Sequence, residues 1–134
     1  MEEAQVTLEM PRPKVVQIAA ILMWVSTIIG ILKSLTIYHT QNWSCPLLMV
    51  FLIGVIYWFA CYSVWKTIRG SNRFRILNLI ILVISFWDFV GYVKNELSIS
   101  AIAGSIAIIV NVSFYLAIIL LFTPSANKWF KSKL

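Results

Sequence analysis

Of the five acidic side chains in this 134-residue sequence, one, Asp88, sits inside a long apolar run. An ionised carboxylate in hydrocarbon is costly, so such a group is expected to be protonated, paired with a cation, or set on an ion or proton path. Lys33 lies near the end of another apolar run, and its flexible stem could carry an ammonium inward to Asp88. Together they suggest either a structural ion pair or the ionisable site of a small transporter. Other reactive groups offer less. Cys45 and Cys61, if carried on one helix, would stand about 24 Å apart at about 1.5 Å per residue, well beyond the roughly 7 Å that a disulfide tolerates. Without a Cys-x-x-Cys pair, the chemistry of the four-helix membrane thiol oxidoreductases lacks its neighbouring thiols. His39 is the single histidine, has no metal-ligand spacing around it, and reads as a loop residue. Ser63 and Ser113 have no base nearby in sequence. Asn42-Trp-Ser44 and Asn111-Val-Ser113 spell glycosylation acceptors, the first against the membrane and the second inside it. There is no Gly-rich phosphate loop, no His-Glu-x-x-His and no paired carboxylates. No catalytic residue, metal or cofactor is therefore expected, and an enzyme is not the expected class.

The elements that would position these groups are set by composition. The chain is 60% hydrophobic with mean hydropathy +0.87, against about 45–50% apolar in soluble domains. Four apolar runs, at about 15–35, 46–65, 76–93 and 99–122, each approach the length of about 20 residues that a helix needs to cross a bilayer. The first fourteen residues are polar and no small-residue cleavage site follows the first run, so that run is expected to be a span and not a signal peptide. Polar connections are expected at 38–43, at 66–75 and at Lys94-Asn-Glu96, and Pro124 should end the fourth helix. The fold class expected is all-α, an integral membrane four-helix bundle of two antiparallel hairpins in a single domain.

Charge gives the expected orientation. Lys66, Arg69, Arg73 and Arg75 crowd the middle connection, Arg12 and Lys14 precede the first span, and Lys128, Lys131 and Lys133 follow the last. Cations flanking spans stay on the cytoplasmic side, so both termini and the 66–75 loop are expected there, with 123–134 as an interfacial cytoplasmic tail. The net charge of +6 is then a footprint of topology and anionic headgroups; no nucleic-acid partner is expected.

Stripes of small or polar residues recur at helical spacing: Ala19, Met23, Ser26, Gly30 and Lys33; Val50, Gly54, Tyr57 and Cys61; Asn78, Ile81, Ser85, Asp88 and Tyr92; Ser100, Gly104, Ala107, Asn111 and Tyr115. Steps of three and four place each set on one helix face. Small residues let backbones approach in lipid, so Gly30, Gly54, Ser85, Gly104, Ala107 and Asn111 are candidates for a helix-packing or partner face.

Three junctions carry a resemblance. Arg12-Pro-Lys-Val-Val16, Arg69-Gly-Ser-Asn-Arg-Phe-Arg75 and Leu120-Leu-Phe-Thr-Pro-Ser-Ala-Asn-Lys-Trp-Phe130 resemble a family of small bacterial four-span inner-membrane proteins of uncharacterised function. The resemblance implies a bacterial cytoplasmic membrane and carries over no site residue. The chain departs from the small multidrug-resistance exporters, whose essential glutamate lies in the first span, where this sequence has no acid.

With no catalytic constellation, little mass outside the membrane and much small-residue surface, the expected function is binding another membrane protein through helix faces, as an accessory subunit or an immunity protein against a membrane-active toxin does. The alternative is a small oligomeric ion or solute transporter with Asp88 as its ionisable site. The lipid bilayer, a membrane-protein partner or a second copy are the expected partners.

Overall fold

A computed structural model describes residues 10–40 and 46–134, with side chains from 10–35 and 47–134. These residues form five helices: α1 (Lys14–Thr40), α2 (Pro46–Ile68), α3 (Asn72–Ile99), α4 (Ala101–Leu121) and α5 (Pro124–Ser132). There is no strand among the described residues. Four of the helices, α1 to α4, are long and apolar enough to cross a membrane. Within a helix every backbone polar group except those of the ends is paired, which is what lipid demands.

The helix ends follow local chemistry. At the close of α2, Gly70 takes a positive φ of 95°. The Ser71 N–H reaches the Lys66 carbonyl at 3.1 Å and the Gly70 N–H reaches Thr67 at 3.0 Å. That double return is a Schellman motif, which satisfies terminal carbonyls and favours glycine at the left-handed position. The polar connection expected at 66–75 thus shrinks to Arg69-Gly70-Ser71, with its flanks helical. The turn expected at Lys94-Asn-Glu96 is absent: α3 runs through it, since Lys and Glu are good helix formers. The break falls instead at Ser100, which is extended (φ −163°, ψ 154°) and accepts a hydrogen bond from the Ala103 N–H at 3.0 Å through its hydroxyl. It is the N-cap of α4. Pro124 behaves as expected, closing off α4 and opening α5 at its first turn.

Packing is cyclic. α4 lies against both α1 and α3, and α2 touches α1 and α3 in turn; α5 folds back onto α1 and α4. The core gathers at the α5 end, where Val16, Ala19, Met23, Val64, Ile118 and Leu121 meet Trp129 and Phe130. The residues at 123–134, expected as an interfacial tail, therefore form a helix whose two aromatic side chains are buried against α1 and α4. The outer surfaces of α2 and α3 carry many exposed large apolar side chains, among them Phe51, Trp58, Phe86 and Trp87.

Between α2 and α3 a small polar cluster is fully enclosed. The Ser63 hydroxyl donates to Asn78 Oδ1 at 3.2 Å, Asn78 Nδ2 donates to the Thr67 hydroxyl at 2.9 Å, and Thr67 donates on to the Ser63 carbonyl at 2.8 Å. Hydrogen bonds between helices replace the missing hydrophobic drive in lipid. Ser63, with no base in sequence, is here a structural donor.

Candidate functional site

Two groups of polar side chains occupy opposite ends of the helix array. The first lies where α1, α3 and α4 meet near Ser100. Lys33 Nζ sits 2.7 Å from Glu96 Oε2 and donates to the Tyr92 hydroxyl at 2.5 Å. It also lies 4.7 Å from the centroid of the Tyr92 ring, a cation–π arrangement. Helical spacing explains the constellation: Tyr92 and Glu96 are four apart on α3 and project side by side. Glu96 is only 6% exposed; a carboxylate so enclosed requires a partner, and Lys33 provides it. Next to Lys33 in sequence, the Ser34 hydroxyl is hydrogen-bonded to that of Tyr57, which donates to the Gly30 carbonyl at 3.1 Å.

The partner expected for Lys33 is thus corrected. Lys33 pairs with Glu96 and not with Asp88. The reason is a shift of face. The stripe through Asn78, Ile81, Ser85 and Asp88 begins inside at Asn78 but emerges outward, and Asp88 is exposed. The inner face of α3 continues instead through Leu82 and Phe89 to Glu96; Phe89 packs edge-on to Tyr115 of α4 at 5.6 Å. No described residue offers Asp88 a hydrogen bond or ion pair. Its carboxylate lies over Gly91, where an added Cβ would come within 3.0 Å of Oδ1. Its neighbour Trp87 is 93% exposed. α3 has 28 residues, about 42 Å in length, and Asp88 is within about 4 Å of its midpoint. Because α3 runs on to Ile99, Asp88 lies near the middle of its helix.

The second group centres on Arg75, which the sequence presents as one of four topology-setting cations. Lys66, Arg69 and Arg73 keep to the surface or its margin, with Lys66 and Arg69 resting on the Trp65 ring at 5.2 and 4.3 Å. Arg75 is buried at 8% exposure. Its Nη1 donates to the Leu121 carbonyl at 3.1 Å and to Asn127 Oδ1 at 2.7 Å. The guanidinium is held between the Phe122 and Phe130 rings at 4.6 and 4.4 Å. It caps the negative end of α4 and fastens α5 to it, the use for which a flat, weakly hydrated cation is suited.

Among the small-residue candidates, Gly104 and Ala107 are buried. A Cβ on Gly104 would meet the Leu97 side chain and lie 3.1 Å from the Leu97 Cα, so α3 and α4 approach too closely there for any larger residue. Ser26 donates to the Val110 carbonyl at 3.2 Å, tying α1 to α4. Asn111 and Ser85 donate only to carbonyls of their own helices, Ala107 and Ile81. Gly54 is exposed in an open groove of α2, with nothing within 4 Å of an added Cβ, and Gly30 is equally unfilled. Those two glycines therefore serve no close packing among the described residues. Cys61 is a free, half-buried thiol. Cys45, the Asn42-Trp-Ser44 triplet and the side chain of His39 lie outside the described residues. Glu96 is not legible as a site residue because it sits in what reads as a turn, and Tyr92 reads as one more member of the α3 stripe; the signal joining them is their four-residue spacing. Comparison with family models, with curated proteins and with solved structures gives no match to this chain.

Proposed function

We propose that this chain is a small multi-pass membrane protein that acts by binding another membrane protein through a helix face, as an accessory subunit or an immunity protein does. Asp88 carries the reading: a carboxylate near the middle of an apolar helix, exposed and without a partner among the described residues. In hydrocarbon such a group is costly. A Lys, Arg or His on a neighbouring helix at the same depth offsets that cost, and an apolar neighbour does not, so the carboxylate also supplies selectivity. The neighbouring Trp87 and Gly91 are exposed too and give Asp88 an apolar surround.

In this reading α1 to α4 form a four-helix bundle of two antiparallel hairpins in a bacterial inner membrane. The cations at 66–75 and beside both termini favour cytoplasmic termini. No catalytic role is assigned. A small oligomeric transporter centred on Asp88 draws on the same carboxylate, which would line a path only where two copies meet.

The test is a mild-detergent pull-down of the tagged chain from its native membrane, with crosslinking and mass spectrometry, for the wild type and Asp88→Asn. Truncating a charge pair across an interface costs about 2–5 kcal/mol, so recovery of a stoichiometric membrane-protein partner should fall by more than tenfold in the variant. An unchanged partner in Asp88→Asn, or recovery of the chain alone, overturns the reading.

A further inference from the structure

The Lys33–Glu96 pair stands between two cavities. One, of about 370 Å³, mixes the polar side chains of Ser34, Tyr57, Tyr92 and Asn111 with apolar walls such as Ile106 and Val110. The other, of about 470 Å³, is apolar, walled by Ile29, Leu32, Ile99, Ile102, Ala103 and Ile106, with Lys33 and Glu96 at its edge. Both fall within the roughly 300–1,000 Å³ of small-molecule sites. Leu32, Ile99 and Ile102 are exposed, so the apolar cavity opens sideways to whatever surrounds the helices.

The pair at its edge is not saturated. An ammonium has three donors, and the described partners of Lys33 Nζ are Glu96 and Tyr92 alone. Glu96 keeps its side chain 8% exposed, with one oxygen on Lys33 and none of the described residues on the other. A spare cationic donor and a spare carboxylate oxygen thus sit side by side, above an apolar cleft. They lie within a turn of the α3–α4 junction at Ser100, which is where headgroups meet a membrane-crossing helix pair.

We propose that this cleft binds one phospholipid whose headgroup carries both a phosphate and a primary ammonium. The phosphate meets Lys33, the ammonium donates to the free oxygen of Glu96, and an acyl chain fills the apolar cavity beside Ala103. A zwitterion matches the pair without leaving either charge unbalanced. An anionic headgroup would neutralise Lys33 and strand Glu96, and a quaternary ammonium has no N–H to donate. The site is separate from the Asp88 face, so its test does not depend on a protein partner.

The full chain, purified in detergent, would be given dioleoyl-phosphatidylethanolamine, -phosphatidylcholine or -phosphatidylglycerol at equal concentration and examined by native mass spectrometry. The wild type should retain one phosphatidylethanolamine per chain, at least fivefold over either other lipid. Ala103→Phe, which fills the cleft, and the double variant Lys33→Met/Glu96→Gln should lose that preference. The exchange Lys33→Glu/Glu96→Lys should keep it, because the pair survives reversed. Equal retention of the three lipids by the wild type overturns the proposal whatever the variants do, and so does a preference undiminished in Ala103→Phe or in the neutral double variant.

Discussion

Asp88 and Phe89 are neighbours in sequence and differ in surroundings: Phe89 packs on Tyr115, and Asp88 is exposed with no described partner. Lys33 is likewise committed elsewhere, to Glu96 and Tyr92. Removing one member of that pair leaves the other enclosed and unmatched, the costly case for a charge-assisted hydrogen bond. Lys33→Met should therefore lower stability in detergent by about 1–3 kcal/mol, and Lys33→Met/Glu96→Gln should recover most of the loss. Reversible unfolding followed by circular dichroism measures both; a double variant as unstable as the single would show that the pair's charge is not what matters. Gly104 makes a separate prediction. A Cβ there meets Leu97 and its backbone, so Gly104→Ala should cost about 1–3 kcal/mol as overpacking does. The same measurement on Gly54→Ala, at an open exposed position, should show no loss, since alanine is the better helix former.

At the scale of elements, α5 depends on Arg75. The guanidinium joins Leu121 at the end of α4 to Asn127 on α5 and is flanked by Phe122 and Phe130. Ala126, on the buried side of α5, is 0% exposed. A cysteine placed there, in a chain with Cys45 and Cys61 changed to serine, should resist a water-soluble maleimide. Adding Arg75→Leu should make it react at least tenfold faster, while α1 to α4 remain helical. Unaltered protection would mean that Trp129 and Phe130 hold α5 without the arginine. The enclosed Ser63–Asn78–Thr67 cluster plays the corresponding part between α2 and α3, joining two helices that otherwise touch lightly.

For the whole molecule, the two ends differ in charge. Among the described residues the acids, Asp88 and Glu96, lie in the second half of α3, away from the α2–α3 turn. Arg12, Lys14, Lys66, Arg69, Arg73, Lys128, Lys131 and Lys133 cluster at the chain ends and that turn, with Arg12 and Lys133 both approaching the Trp129 ring, at 5.8 and 6.0 Å. A reporter active only outside the cell, fused after Leu134, should be silent, and one fused in the 41–45 connection should be active, because cationic flanks resist translocation. Activity after Leu134 would reverse the orientation and place the lipid cleft on the cytoplasmic side.

Four long apolar helices, the stop at Pro124 and the crowding of cations around one turn are determined by the sequence itself. Each depends on local quantities: the length of an uncharged run, a missing N–H, the cost of moving a cation through hydrocarbon. The inward faces of α1 and α4 are legible for the same reason, since Ala19, Met23, Ser26, Gly104 and Ala107 follow one regular period into the interior. The tertiary structure alone decided which charges meet. Lys33 has an acid available on α3 at either Asp88 or Glu96, and two turns of helix separate them. Only the rotation of α3 about its axis, which the packing against α1 and α4 fixes, turns Glu96 inward and leaves Asp88 exposed. Arg75 escaped the sequence for a related reason. Its burial depends on α5 folding back to supply Asn127 and Phe130, contacts more than fifty residues away that no local pattern contains.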